Sequence, residues 1–316
     1  MKDSYGREIN YARISLTDLC NYRCIYCMSE CGVEKKPHEQ MLKLEEFSII
    51  ICALSELGVS KIRFTGGEPL VKKGAISLIE ETANIPAIKN IALTTNGALL
   101  PEFAGRLAKA GVDSVNISID SLNAARYSQI TRGGKLQDAL DGLQAAKDVG
   151  MRKIKINAVL MRGINDDEIL DFAKFGQEEN VSVRFIELMP FECQTHFADS
   201  HLISLNEVLS NHPEFQELGN EGSTNAVYFK LPDGSELGFI SAVSRKFCAY
   251  CNRVRITADG KMLNCLHENK EYDLRPYLSN FQKLKEYIIE CVAKKPLCHN
   301  IGSGERQQRN MTRIGG

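Results

Sequence analysis

Residues 11–28 read YARISLTDLCNYRCIYCM. Ala12, Ile14 and Leu16 alternate with Arg13, Ser15 and Thr17, and the run ends in Cys20, Cys24 and Cys27. Strict alternation is the mark of a β-strand, whose side chains point to opposite faces in turn. The cysteines then fall on the loop at the C-terminal end of that strand. In parallel α/β folds this is the end that carries chemistry.

The same local grammar recurs. β-like runs cover 61–66, 90–96, 114–120, 153–161 and 182–190, and amphipathic helical stretches lie between them at 44–57, 101–110, 135–149 and 166–179. Several helical stretches end at a glycine: Gly58, Gly111 and Gly150. Strands alternating with helices imply parallel strands joined by crossovers. Six such units predict an α/β fold, a partial (βα)6 TIM-like barrel open on one side.

One face of these strands is unusual. Besides Arg13 it carries Lys61, Arg63 and Thr65, then Asn116, Ser118 and Asp120, then Lys153, Lys155 and Asn157, and finally Arg184. The opposite face holds Ala12, Ile14, Leu16, Ile62, Phe64, Ile154 and Ile156 and suits packing against helices. A closed barrel is normally filled with Val, Ile and Leu, and unpaired buried cations are unfavourable. Inward Lys and Arg therefore imply a wet cavity and an anionic ligand.

Beyond residue 200 the pattern changes to a helix near 204–210, β-like runs at 226–232, 237–241 and 253–260, and a helix over 274–292. This reads as a smaller C-terminal α+β extension. The expected organisation is 1–200 for the barrel, 201–300 for the extension and 301–316 for a flexible, Gly-rich basic tail.

The chain has 316 residues, 43% of them hydrophobic, enough for a substantial core. A net charge of −1 gives no bulk field for nucleic acid or an anionic membrane. The polar N-terminus lacks an apolar signal core and no long apolar run is present, so a cytoplasmic protein without a membrane span is expected. Eleven cysteines in such a chain point to metal or redox chemistry rather than disulfides. Six fall into two clusters; Cys31, Cys52, Cys193, Cys291 and Cys298 read as apolar fillers or surface thiols.

Cys20, Cys24 and Cys27 form C-x3-C-x2-C. Three thiolates can hold three irons of a [4Fe–4S] cluster and leave the fourth open, as a catalytic site needs. Zinc with a distant fourth ligand is the alternative. Cys248, Cys251 and Cys265 form C-x2-C-x13-C, where zinc is a more serious alternative. Arg253 and Arg255 share a strand face beside this triad and suit a polyanion.

The C-x3-C-x2-C loop with Tyr26 before its last cysteine resembles the signature of the radical S-adenosylmethionine superfamily. GGEP (Gly66, Gly67, Glu68, Pro69) after the second strand supports this. Within that superfamily the chain resembles the GTP 3′,8-cyclase family of molybdenum cofactor biosynthesis. The resemblance runs nearly full length: KIRFTGGEPL, TTNG, NISIDSL, KINAVLMRGINDDE, RFIELMP, GFISAVSRKFCAYCNRVRITADGK and the terminal IGG.

The resemblance implies two [4Fe–4S] clusters, one on each cysteine triad, and S-adenosylmethionine lined by Tyr26, Gly67, Ser118 and Met189, with Glu68 and Asn157 as further contacts. It implies a GTP site at Arg13, Arg63, Thr94, Lys155, Arg253, Val254 and Arg255, with Lys61 and Arg184 nearby. Arg13, Arg253, Arg255, Gly315 and Gly316 would serve catalysis, the last two by carrying the tail, with Arg313, into the cavity. The implied chemistry is a lyase reaction: an adenosyl radical removes the ribose C3′ hydrogen, the C3′ radical adds to guanine C8, and reduction completes the cyclised nucleotide. Implied partners are a reductant such as flavodoxin or ferredoxin, a downstream cyclic pyranopterin monophosphate synthase and a second copy of the chain in a homodimer. Leu19, His267 and the 191–202 segment depart from the family pattern. A peptide-modifying maturase with two clusters, and an iron–sulfur or zinc scaffold without catalysis, are the competing readings.

Overall fold

The computed structural model describes residues 1–191, 195–219, 225–299, 301 and 307–315. The N-terminal part is β1 (Tyr11–Ser15), α1 (Leu44–Glu56), β2 (Lys61–Thr65), α2 (Ala75–Ala83), β3 (Asn90–Thr95), α3 (Leu100–Lys109), β4 (Val112–Ser118), α4 (Ala124–Thr131), α5 (Leu136–Asp148), β5 (Lys153–Leu160), α6 (Ile169–Glu178) and β6 (Ser182–Glu187). The remainder is α7 (Thr195–His201), α8 (Leu205–Asn211), β7 (Gln216–Gly219), β8 (Val227–Lys230), β9 (Glu236–Ile240), β10 (Arg253–Ile256), β11 (Lys261–Leu263), β12 (Tyr272–Asp273), α9 (Phe281–Ala293) and α10 (Met311–Ile314).

All these strands form one sheet in the order β12-β11-β10-β1-β2-β3-β4-β5-β6-β9-β8-β7. From β10 through β1–β6 to β9 every pairing is parallel. Only the outer hairpins are antiparallel. β12 and β7 are the two edges, so the barrel is open as expected. Among the described residues the C-terminal extension builds no sheet of its own. It brackets the six-strand unit, β10–β12 joining at β1 and β7–β9 joining at β6. That placement brings Arg253 and Arg255 beside β1.

The apolar face packs as the alternation requires. Ala12, Ile14, Leu16, Ile62, Phe64 and Ile156 are fully buried in one continuous core, each larger side chain contributing about 1.5–3 kcal/mol. Gly58, Gly111 and Gly150 all take positive φ just past helices. Two boundaries differ from expectation. The helix read over 274–292 starts at Phe281, because Asn280 caps it by accepting from the Lys283 amide at 3.0 Å and Pro276 sits in a separate short turn. The run 253–260 is strand only to Ile256; the Thr257 amide donates to the Lys261 carbonyl at 2.8 Å and the chain turns back into β11. Among the described residues no helix is long and apolar enough to cross a membrane.

Candidate active site

A cavity of about 990 Å³ runs along the inner face of the parallel strands, from Tyr11, Lys61 and Lys153 at their starts to Cys20, Cys24 and Cys27 beyond their ends, and is lined by the inward cations. The cysteine loop is fixed by GGEP. The Gly67 amide donates to the Thr17 carbonyl at 2.7 Å and the Glu68 amide to the Leu19 carbonyl at 2.9 Å. A Cβ on Gly67 would lie 2.3 Å from the Leu19 oxygen. The close approach that demands glycine here is therefore to the loop preceding Cys20.

Glu68 faces the cavity wall but is heavily engaged. Its Oε1 accepts from the Leu70 amide at 3.1 Å and the Thr95 hydroxyl at 2.9 Å, and its Oε2 from the Asn96 amide at 2.8 Å. Burial pushes its pKa up to about 7 despite these bonds. The Tyr26 hydroxyl donates to Asp120 at 2.9 Å, and the Val159 amide holds the other Asp120 oxygen at 2.8 Å. Ser118, Asn157 and Met189 line the same cavity.

The cations form a wall set by strand register. Arg13 stands between Arg255 and Arg63, and Tyr11 stands one layer away between Arg253 and Lys61. Arg63 donates to the Tyr11 hydroxyl at 2.8 Å, the Leu93 carbonyl at 2.7 Å, Thr94 at 3.2 Å and Ser114 at 3.3 Å. Arg184 holds the Asn157 amide oxygen at 2.7 Å. The Nε of Arg253 is buried without a hydrogen-bond partner among the described residues, with its guanidinium 5.7 Å from the Tyr11 and Phe247 rings.

The crowding is visible in the electrostatics. Burial, then Arg184, Arg63, Lys61 and Lys153, bring Lys155 down to about 8. Burial and Arg253 bring Arg255 down to about 10. Burial would raise the Tyr11 phenol, yet Arg63, Arg13, Arg253 and Lys61 outweigh it and bring it down to about 7. So much positive charge gathered in one cavity favours an anionic ligand there.

Cys248 opens a short turn (Cys248–Tyr250), Cys251 follows it into β10, and Cys265 lies just beyond β11. Their neighbours Phe247, Asn252 and Leu266 line the cavity; the cysteines themselves do not. Cys298 hydrogen-bonds Cys248, so it belongs to the surroundings of this triad. Cys31 is exposed, Cys52 half-buried and Cys291 in the core. No two described cysteines form a disulfide. Among the described residues no three His, Cys, Asp or Glu side chains converge on a single ion. A [4Fe–4S] cube binds each thiolate on a different iron, so its ligands surround a cube rather than a point. Two triads of reduced, partly buried thiols fit that donor set.

The tail reaches the site. The Ile314 side chain is buried with Phe191 and Leu263. Arg255 donates to the carbonyls of Ile314, at 3.0 Å, and Gly315. Gly315 has φ +70°, and a Cβ there would lie 2.3 Å from Thr65 Oγ1. Arg313 donates to the Glu34 carbonyl at 2.9 Å and faces Asp18 at 3.7 Å. Gly316 lies outside the described residues, as does Cys193 of the 191–202 segment. Leu19 is exposed, and His267 packs its ring 4.9 Å from His299.

The cavity thus gathers Arg13, Lys61, Arg63, Thr94, Lys155, Arg184, Arg253 and Arg255 with Tyr26, Gly67, Glu68, Ser118, Asn157 and Met189. Val254 is the exception: its side chain is buried in the core on the opposite face of β10. Sequence reasoning missed Tyr11, although its parity with Arg13 placed it on the inward face.

A domain of the radical SAM superfamily matches residues 14–176, and a Molybdenum Cofactor Synthesis C domain matches residues 181–301. A GTP 3′,8-cyclase of Alkaliphilus oremlandii is 44% identical over 320 residues, spanning 100% of both chains. The chain belongs to the GTP 3′,8-cyclase family. The GTP 3′,8-cyclase of Peptoclostridium acidaminophilum is 43% identical over 317 residues, covering 99% of this chain and 98% of that one. Among solved structures, Streptococcus suis SuiB bound to S-adenosylmethionine superposes with a TM-score of 0.63 at 16% identity, over 96% of this chain and 77% of SuiB. At that identity the likeness speaks for the fold alone.

Proposed function

We infer that this chain is a radical S-adenosylmethionine GTP 3′,8-cyclase that acts in molybdenum cofactor biosynthesis, with the residues assigned as follows. Cys20, Cys24 and Cys27 hold one [4Fe–4S] cluster, and Cys248, Cys251 and Cys265 the other. With S-adenosylmethionine bound, the first cluster would supply one-electron reductive-cleavage chemistry, fed by an external reductant.

The protein's own work is binding and positioning. Tyr26, Gly67, Ser118, Asn157 and Met189 line the S-adenosylmethionine end, and Glu68 braces the loops that shape it. Arg13, Lys61, Lys155, Arg184, Arg253 and Arg255 receive the triphosphate through charge-assisted hydrogen bonds. Arg63, already tied to Thr94 and Ser114, holds that wall rigid. The tail, held by Arg255, closes the cavity against water and competing hydrogen donors. Residues 1–200 carry radical generation, 201–300 the second cluster and 301–316 the closing tail. A flavodoxin or ferredoxin as reductant, a cyclic pyranopterin monophosphate synthase as the next enzyme, a homodimer and a cytoplasmic location complete the reading.

The observation that carries this reading is the register of Arg255, Arg13 and Arg63 across three adjacent strands, facing the cavity that the first triad also lines. The test is to compare GTP, ATP and a guanosine without phosphates as triggers of S-adenosylmethionine cleavage under reducing, oxygen-free conditions. GTP alone should support stoichiometric 5′-deoxyadenosine. Equal cleavage with all three would remove the assignment of the cation wall to a triphosphate.

A further inference from the structure

Lys295 is 2% exposed. It lies just beyond α9, its amide held by the Val292 carbonyl at 3.0 Å. Its ammonium donates to the Arg253 carbonyl at 2.8 Å and to the Asn264 carbonyl. Among the described residues no carboxylate forms an ion pair with it. Glu268 feels its charge without pairing to it. A buried ammonium that donates to two neutral carbonyls and pairs with no carboxylate is strongly unfavourable unless a negative group lies close by.

The two carbonyls identify that group. Arg253 stands two residues after Cys251, and Asn264 immediately precedes Cys265. Lys295 therefore ties together the two separated parts of the second triad. It also hydrogen-bonds Cys251 itself. Nothing in the triphosphate wall explains it, because it does not line the cavity.

We propose that Lys295 is a positioning residue for the second iron–sulfur cluster, whose fixed positive charge raises that cluster's reduction potential. The inference rests on the reading that Cys248, Cys251 and Cys265 hold such a cluster. Each electron added makes a thiolate-ligated cluster more negative, and a nearby buried cation stabilises the reduced state more than the oxidised one. Net charge and hydrogen bonds around the sulfurs are established levers on such potentials.

The test is a redox titration of the fully loaded protein followed by electron paramagnetic resonance, on wild type, Lys295→Met and Lys295→Arg. Met keeps the length and removes the charge; Arg keeps the charge. Signals are assigned to each site with Cys24→Ala and Cys251→Ala proteins. The proposal expects a more negative midpoint for the second cluster in Lys295→Met, no change at the first cluster, and a midpoint near wild type in Lys295→Arg. Loss of the second cluster in Met but not in Arg also supports a requirement for the charge. An unchanged midpoint in a fully loaded Lys295→Met protein overturns it. So does loss of the cluster in both variants, which would make Lys295 a brace for the carbonyls alone. Wild-type protein carrying iron for one cluster instead of two would instead refute the underlying reading of the second triad.

Discussion

The Arg255 guanidinium, set beside Arg13 by the pairing of β10 with β1, donates through Nη1 to the Ile314 carbonyl at 3.0 Å. One side chain thus joins the cation wall to the end of the chain. Gly315, next in line, takes φ +70° with Thr65 Oγ1 where its Cβ would be. Gly315→Ala combines a left-handed conformation that disfavours L side chains by about 1–2 kcal/mol with that contact. It should lower cyclised-nucleotide formation by roughly tenfold or more, while the melting temperature, set by the core, stays within error. Steady-state product assays beside calorimetry check both halves.

Gly67→Ala addresses the cysteine loop. The new Cβ would meet the Leu19 carbonyl oxygen at 2.3 Å, and backbone cannot yield as a flexible side chain can. The loop bearing Cys20, Cys24 and Cys27 must shift. Iron bound by the first triad and S-adenosylmethionine cleavage should both fall sharply. GTP affinity, measured by calorimetry, should change little, because the cation wall lies on other strand positions.

The pH dependence of GTP binding follows from two groups in that wall. Tyr11 titrates near 7 because Arg63, Arg13, Arg253 and Lys61 outweigh its burial. Lys155 titrates near 8 because of burial and then Arg184. A polyanion favours the protonated form of both, the neutral phenol and the charged ammonium. Affinity should therefore be full below about 7 and weaken as pH rises through about 7 and then about 8, by at most about tenfold per unit for each group. Tyr11→Phe should abolish the lower step and leave the upper. Removing the charge with Lys155→Met should raise the Kd by about ten- to a hundredfold at neutral pH, since a hydrogen bond to a charged group contributes about 1.5–3 kcal/mol.

Much of this site was legible because strand alternation is a strong signal. Arg13, Arg63, Asn116, Lys155 and Asn157 have the inward parity, and each lines the cavity. Tyr11 obeys the same parity, but an aromatic residue at a strand start reads as packing until its cationic neighbours are known. Apart from Arg13 those neighbours come from β2 and β10, and only the pairing of distant strands brings Arg253 to it. The turn at Asp259–Gly260 was a readable hairpin signal, and it explains why β10 stops at Ile256 and β11 returns. Lys295 was illegible for a different reason. A lysine in a run of Lys294, Lys295 and Pro296 looks solvated, and its burial depends on α9 delivering it to carbonyls some 30 to 40 residues distant in sequence, at Asn264 and Arg253.

The most direct test of the central claim follows a single hydrogen atom. GTP carrying deuterium at ribose C3′ is incubated with the iron-loaded protein, reductant and S-adenosylmethionine, and the 5′-deoxyadenosine is analysed by mass spectrometry. The cyclase reading predicts one deuterium in 5′-deoxyadenosine, formed with the cyclised nucleotide in equal amounts. Unlabelled 5′-deoxyadenosine with GTP left intact would contradict it, and would mean that the cation wall serves some other anion.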